Sequence, residues 1–134
     1  MAEEVLVKES ITQDMISSGE ALARHLNPSD LRINAMLWLY LAESNRWQFI
    51  VATPEVKEKG PRNVYQRIRK LVSEIPEGDP TIDFADIAVV DSSDPLILLL
   101  RGAINTGGDL SKIRFSRNVL DGVLIDDAFI YKLT

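Results

Sequence analysis

INAMLWLYLAESNRWQFIVA, residues 33–52, is the stretch on which the fold turns. Residues 33–42 are apolar at nearly every position, so both alternating faces of an extended chain would be apolar. The run is short and aromatic for a helix, and it predicts a central strand covered on both sides. Residues 43–46, Glu-Ser-Asn-Arg, form a polar turn, and residues 47–52 predict a second strand. So short a connection makes the pair a hairpin. Pro54 stops the second strand, because proline cannot donate to a sheet ladder.

Before the hairpin, Ser10-Ile11-Thr12-Gln13 has the form of a capping box, with Ser10 as the expected N-cap. Ile11, Met15, Ser18/Gly19, Leu22 and Leu26 then recur at helical steps. Gly19 on that stripe suggests a close approach to a neighbour or a tolerated flaw in the helix, and Asn27-Pro28 ends the helix. After the hairpin, Gly60-Pro61 opens a second helix with apolar positions Val64, Ile68, Leu71, Val72 and Ile75. A breaker-rich loop at 76–80 leads to an expected strand at 85–90. Asp94-Pro95 is an N-cap with proline at the first helical position, which starts a short helix to Ile104, with a strand as the competing reading because LILLL carries no clear period. Asp121-Gly122 is the strongest hairpin signal in the chain, joining expected strands at 112–120 and 123–133. Asp126-Asp127 breaks the alternation of the last strand and marks a bulge or an edge.

The expected order is α-β-β-α-β-α-β-β, an α+β domain with one mixed sheet of about five strands and helices packed on its faces. With 134 residues, one domain is expected over 1–134. Residues 1–9 are expected to be a flexible or edge-strand N-terminus.

A fraction of 46% hydrophobic and 26% charged residues is that of a globular chain rather than a disordered one. There is no cysteine, so disulfides, thiolate metal sites and cysteine nucleophiles are excluded. The acidic start MAEEVLVKES lacks the pattern of a signal peptide, and no apolar run approaches membrane-spanning length. The expected location is cytoplasmic. The net charge of −5 argues against binding nucleic acid over the whole surface.

The charge is unevenly spread. Residues 53–70, TPEVKEKGPRNVYQRIRK, carry six basic and two acidic side chains, a local +4 that leaves −9 for the rest. The start of the Gly60-Pro61 helix, with free N–H groups and Lys57, Lys59, Arg62 and Arg69 nearby, is the candidate site for an anion, a phosphate or RNA. The competing role is the solvated face of an amphipathic helix. Conversely, no basic residue occurs from 74 to 100, where Asp79, Asp83, Asp86, Asp91 and Asp94 cluster. Asp91 follows an expected buried strand, and Asp91 with Asp94 is the candidate metal pair. Their competing roles are a turn residue and a helix cap.

Glu55-Val56-Lys57 is the candidate catalytic motif. A helix, a hairpin, a Glu-x-Lys, a further helix and a further strand are similar in outline to the PD-(D/E)xK nuclease core. That resemblance implies metal-assisted phosphodiester cleavage, with Glu55 as a metal ligand and Lys57 positioning the attacking water. Only two strands precede the motif here, against three in that core. Pro54 separates Glu55 from the strand, and Asp30 or Glu43 would have to supply the second acid. His25, the lone histidine, has no serine or acid at a recognisable spacing and suits a helix C-terminus. Trp38, Tyr40, Trp47 and Phe49 are expected in the core, with a base-stacking sheet face as the alternative. In the last hairpin, Arg114 or Arg117 is expected to pair across the strands with Asp126 or Asp127.

These features describe a non-catalytic binding or interaction module without a cofactor, self-associating through its C-terminal hairpin. The alternatives are an anion or RNA binder and a metal-dependent nuclease.

Overall fold

The computed structural model describes residues 10–134, so the expectation for residues 1–9 lies outside the described residues. The elements are α1 (Gln13–Leu26), β1 (Ala35–Leu41), β2 (Arg46–Thr53), α2 (Glu55–Lys59), α3 (Pro61–Ser73), β3 (Ile87–Asp91), α4 (Pro95–Arg101), β4 (Ile113–Leu120) and β5 (Val123–Leu133). A 3-10 turn, Phe84–Asp86, leads into β3. The fold is α+β, as expected from the sequence, with one five-stranded sheet in the order β3-β2-β1-β5-β4.

β1 is the middle strand and both of its faces are buried. Met36, Trp38 and Tyr40 join the core under α1 and α3. Ala35, Leu37 and Leu39 join a second core under α4. That two-sided burial is why residues 33–42 show no polar face. β1 pairs antiparallel with β2, Ala35 opposite Ala52 through Leu41 opposite Arg46. β2 pairs in parallel with β3, Phe49 opposite Ile87. A parallel neighbour needs a crossover, and α2 with α3 supplies it.

Two local expectations need correction. The N-cap of α1 is Thr12, whose side chain accepts from the Met15 amide at 3.1 Å, and not Ser10. Both residues have the required hydroxyl, and the Gln13 that favoured Ser10 is itself the first helical residue. Residues 55–59, for which no element was expected between Pro54 and Gly60-Pro61, form a helical turn, α2. The motif Glu-Val-Lys-Glu-Lys is made of good helix formers apart from Val56, and Gly60 (φ 84) separates it from α3. Elsewhere the signals hold. Asp94 caps α4 through the Leu96 amide at 3.0 Å. Asp121 (φ 46) and Gly122 (φ 80) take the two positive-φ positions of a tight hairpin turn.

Gly19 lies where α1 touches the sheet. A Cβ there would stand 2.4 Å from Tyr131 Oη and 2.6 Å from Trp38 Nε1. Both groups are spent on the same helix: Tyr131 Oη donates to the Ile16 carbonyl at 2.7 Å, and Trp38 Nε1 to the Met15 carbonyl at 3.0 Å. β5 reaches this position through a bulge opposite Met36 and Leu37. The β4–β5 ladder is also interrupted: it skips Arg117, which has a φ of 50, and Asp126. No helix among the described residues is long and apolar enough to cross a membrane.

Candidate functional site

The carboxyl ends of the parallel pair β2 and β3 are where open α/β sheets commonly place ligands, and two candidate residues lie there. Glu55 lies two residues past the end of β2, after Pro54, and is buried, 2% exposed. Its Oε1 accepts from Arg67 Nη1 at 2.6 Å and faces Lys59 Nζ at 3.1 Å. Its Oε2 accepts from the Arg32 amide at 2.7 Å. Burial by itself would raise the carboxyl pKa, but the donations from Arg67, the Arg32 amide and Lys59 outweigh it and hold the pKa down at about 2. The arrangement ties the start of α2 to α3 and to the segment before β1. Arg67 also reaches Asp30 at 3.4 Å.

Lys57 points elsewhere. Its Nζ lies 3.6 Å from Asp91 Oδ2 at the end of β3. Asp91 Oδ2 also accepts from the Ser93 amide at 2.8 Å and from the Ser93 hydroxyl. These donations, with Lys57 adding to them, lower the Asp91 pKa. Asp91 Oδ1 is buried without a hydrogen bond. Ser92 Oγ donates to Asn34 Oδ1 beside it. Glu55 and Lys57 therefore belong to different pairings, and Asp94 is occupied as the cap of α4. Glu43 lies in the β1–β2 turn, at the other end of β2 from Glu55. Among the described residues no three His, Cys, Asp or Glu side chains gather as a metal-binding set.

The four candidate anion residues separate in the same way. Lys57 is engaged by Asp91, and Lys59 by Glu55. The Arg69 guanidinium lies 5.4 Å above the Phe84 ring centroid. Arg62, at the start of α3, makes no ion pair among the described residues. His25 lines a separate pocket with Ser17, Glu20, Arg24 and Asp79. Its Nε2 is 3.6 Å from Glu74 Oε2, beyond hydrogen-bond length. The four hairpin aromatics lie within the core: Trp38 meets Phe49 edge-on at 5.3 Å, and Tyr40 meets Trp47 at 5.4 Å.

A different surface forms at the opposite end of the sheet. β5 pairs with β1 from Ala128, opposite Leu39, to Leu133, and β1 ends at Leu41, so residues 123–125 of the β4–β5 hairpin overhang the end of β1. Val119 and Leu124 face each other across that overhang, 65% and 62% exposed, and Val123 is 47% exposed. A groove of about 530 Å³ runs beneath the tip, walled by Leu39, Leu41, Leu96, Val123, Leu124 and Ile125. Glu43, Ser44 and Asp126 stand at its margin. Behind the tip, Arg114 and the buried Asp127 form the expected cross-strand pair, Nε to Oδ1 at 2.6 Å. The alternation of Lys112-Ile113-Arg114-Phe115 pointed to that pairing. Nothing local pointed to the groove, whose walls come from β1, α4 and β5. Arg67 was also missed. Its one signal is that it adjoins Ile68 and follows Val64 by three, which puts it on the flank of the apolar stripe.

Comparison with protein-family models, with characterised proteins and with solved structures finds no match to this chain.

The Glu55 cluster makes stability depend on pH with a definite sign. The folded pKa lies below the reference 4.5. The contribution is therefore complete above about pH 5 and is lost as pH falls through 4.5 toward 2. Its full size is on the order of 3 kcal/mol. Urea unfolding of wild type and Glu55→Gln should show a midpoint gap that is large at pH 7 and narrows steadily toward pH 2. A gap independent of pH would remove the ionised Glu55 from the account.

Proposed function

We propose that this protein is a non-catalytic interaction module that self-associates through the overhanging tip of the β4–β5 hairpin. The observation that carries the reading is the overhang itself. It holds Val119, Val123 and Leu124 in solvent over a groove walled by Leu39, Leu41 and Leu96. Isolated exposed apolar residues are ordinary, but a contiguous patch with a polar margin marks an interaction surface. A second copy of the chain suits it. The charged residues at the groove margin, Glu43 and Asp126, are acidic, and Arg117 lies on β4 of the same hairpin, so a two-fold axis through the tip can set opposite charges together.

The test is sedimentation equilibrium across a wide concentration range. The wild-type chain should form dimers. Leu124→Asp places a charge in the buried centre of the contact and should weaken association at least 100-fold, with an unchanged unfolding midpoint. A wild-type chain that stays monomeric up to its solubility limit ends this reading.

A further inference from the structure

In the β4–β5 ladder Val119 stands opposite Leu124, and Leu120 opposite Val123. Successive pairs in a ladder point to opposite faces. Leu120 packs against the core under α4, so Val123 lies on the α4 side, with the groove walls Leu39, Leu41, Leu96 and Ile125. Val119 and Leu124 point from the other face, 65% and 62% exposed. The tip is therefore apolar on both faces. One face roofs a groove and the other is turned to solvent, so a projection and a hollow lie side by side on one surface.

We propose that two copies of the chain clasp each other there, the tip of each lying in the groove of the other. This rests on the self-association argued above and adds the occupant of the groove, which is the Val119–Leu124 face of the second copy's hairpin. Three observations carry it. The first is symmetry. A surface that bears a projection beside a hollow of the same apolar character matches a copy of itself turned by half a revolution. One two-fold axis then makes both insertions at once and closes the assembly at two chains.

The second is fit. The groove holds about 530 Å³. The side chains of Val119 and Leu124 have seven carbons between them, roughly 200 Å³ at about the 30 Å³ that one water occupies. Both enter, with space left for the backbone that carries them. The third is charge. The groove margin carries Glu43 and Asp126, and the incoming tip brings Arg117, two residues before Val119 on β4. Insertion takes the exposed face and the groove walls out of water together, which is what favours it.

The chain has no cysteine, so single introduced cysteines report contacts between copies. Isotope-labelled Leu124→Cys is mixed with unlabelled Leu96→Cys and oxidised by dissolved oxygen with a copper catalyst, and the disulfide-linked pairs are told apart by mass. The clasp sets position 124 of one copy against position 96 of the other, so the mixed pair should exceed each self-linked pair at least tenfold. Leu41→Cys, on another wall of the groove, replaces Leu96→Cys if that variant has a lowered unfolding midpoint, and the same excess is expected. A statistical mixture of the three pairs overturns the proposal. So does an excess of self-linked Leu124→Cys, which would set the two tips face to face. In sedimentation the wild-type mass should stop at the dimer, and a mass that keeps growing with concentration overturns the closed clasp. A wild-type chain that stays monomeric removes the self-association as a whole. A dimer with the wrong cross-links leaves self-association standing and removes this geometry alone.

Discussion

Arg67→Met should destabilise the protein by about 3 kcal/mol, lowering the thermal midpoint by roughly 10 °C for a chain of this size. The cost comes from the partner left behind. Glu55 is 2% exposed and cannot return to water. With Arg67 gone it keeps the Arg32 amide at 2.7 Å and Lys59 at 3.1 Å, too little for a charge in that position. Lys59 and Arg32 are more than half exposed, so their pull on Glu55 is screened. Glu55→Leu should cost less, about 2 kcal/mol, because the cations it strands can turn toward solvent. The double variant should be more stable than the sum of the single effects predicts, by about 2 kcal/mol, since neither charge then remains buried alone. Denaturant unfolding of the four proteins checks the cycle. Additive effects would mean that the two side chains do not act on each other.

Gly19→Ala should destabilise by about 2–3 kcal/mol, although alanine is the better helix former. The helical gain is about 1 kcal/mol. Against it stands a methyl group 2.4 Å from Tyr131 Oη and 2.6 Å from Trp38 Nε1. Overpacking of a buried site costs about 1–3 kcal/mol. Neither ring can swing away, as Tyr131 is 1% and Trp38 is 4% exposed. Moving either one breaks its hydrogen bond to Ile16 or Met15, at about 1 kcal/mol each. The tryptophan fluorescence of the folded variant should also shift, because Trp38 loses its partner. A stabilised Gly19→Ala would show that α1 moves off the sheet at little cost.

The contrast between these two sites explains how much was legible in advance. Gly19 could be read as a contact point, with a tolerated flaw as the other reading, because a glycine on an apolar helical stripe calls for one or the other. Glu55 could not be read as buried. It sits in a run of charges, Glu-Val-Lys-Glu-Lys, that resembles any solvated loop, and the arginine that neutralises it lies twelve residues on. The apparent Glu-x-Lys motif then divides, Glu55 toward Arg67 and Lys57 toward Asp91. Side chains two apart on a helical turn point in different directions, so spacing that suits an extended strand does not bring them together. Thr12 and Ser10 compete for the same cap with the same chemistry, and only the position of the first helical turn separates them.

The sequence by itself determined the elements and their class. The two-sided apolar run at 33–42 made β1 central, the breakers at Asn27-Pro28, Pro54 and Gly60-Pro61 set the boundaries, and Asp121-Gly122 made the last hairpin. These signals are local, since each depends on backbone preferences within a few residues. Tertiary structure decided which strands are neighbours, that β3 lies parallel to β2, that Glu55 is enclosed by Arg32, Lys59 and Arg67, and that the β4–β5 hairpin outruns β1 by three residues, 123–125. Those outcomes depend on how far each strand extends before its partner ends, and on which face remains to be covered. No short window of sequence contains that comparison, and it leaves Val119, Val123 and Leu124 exposed.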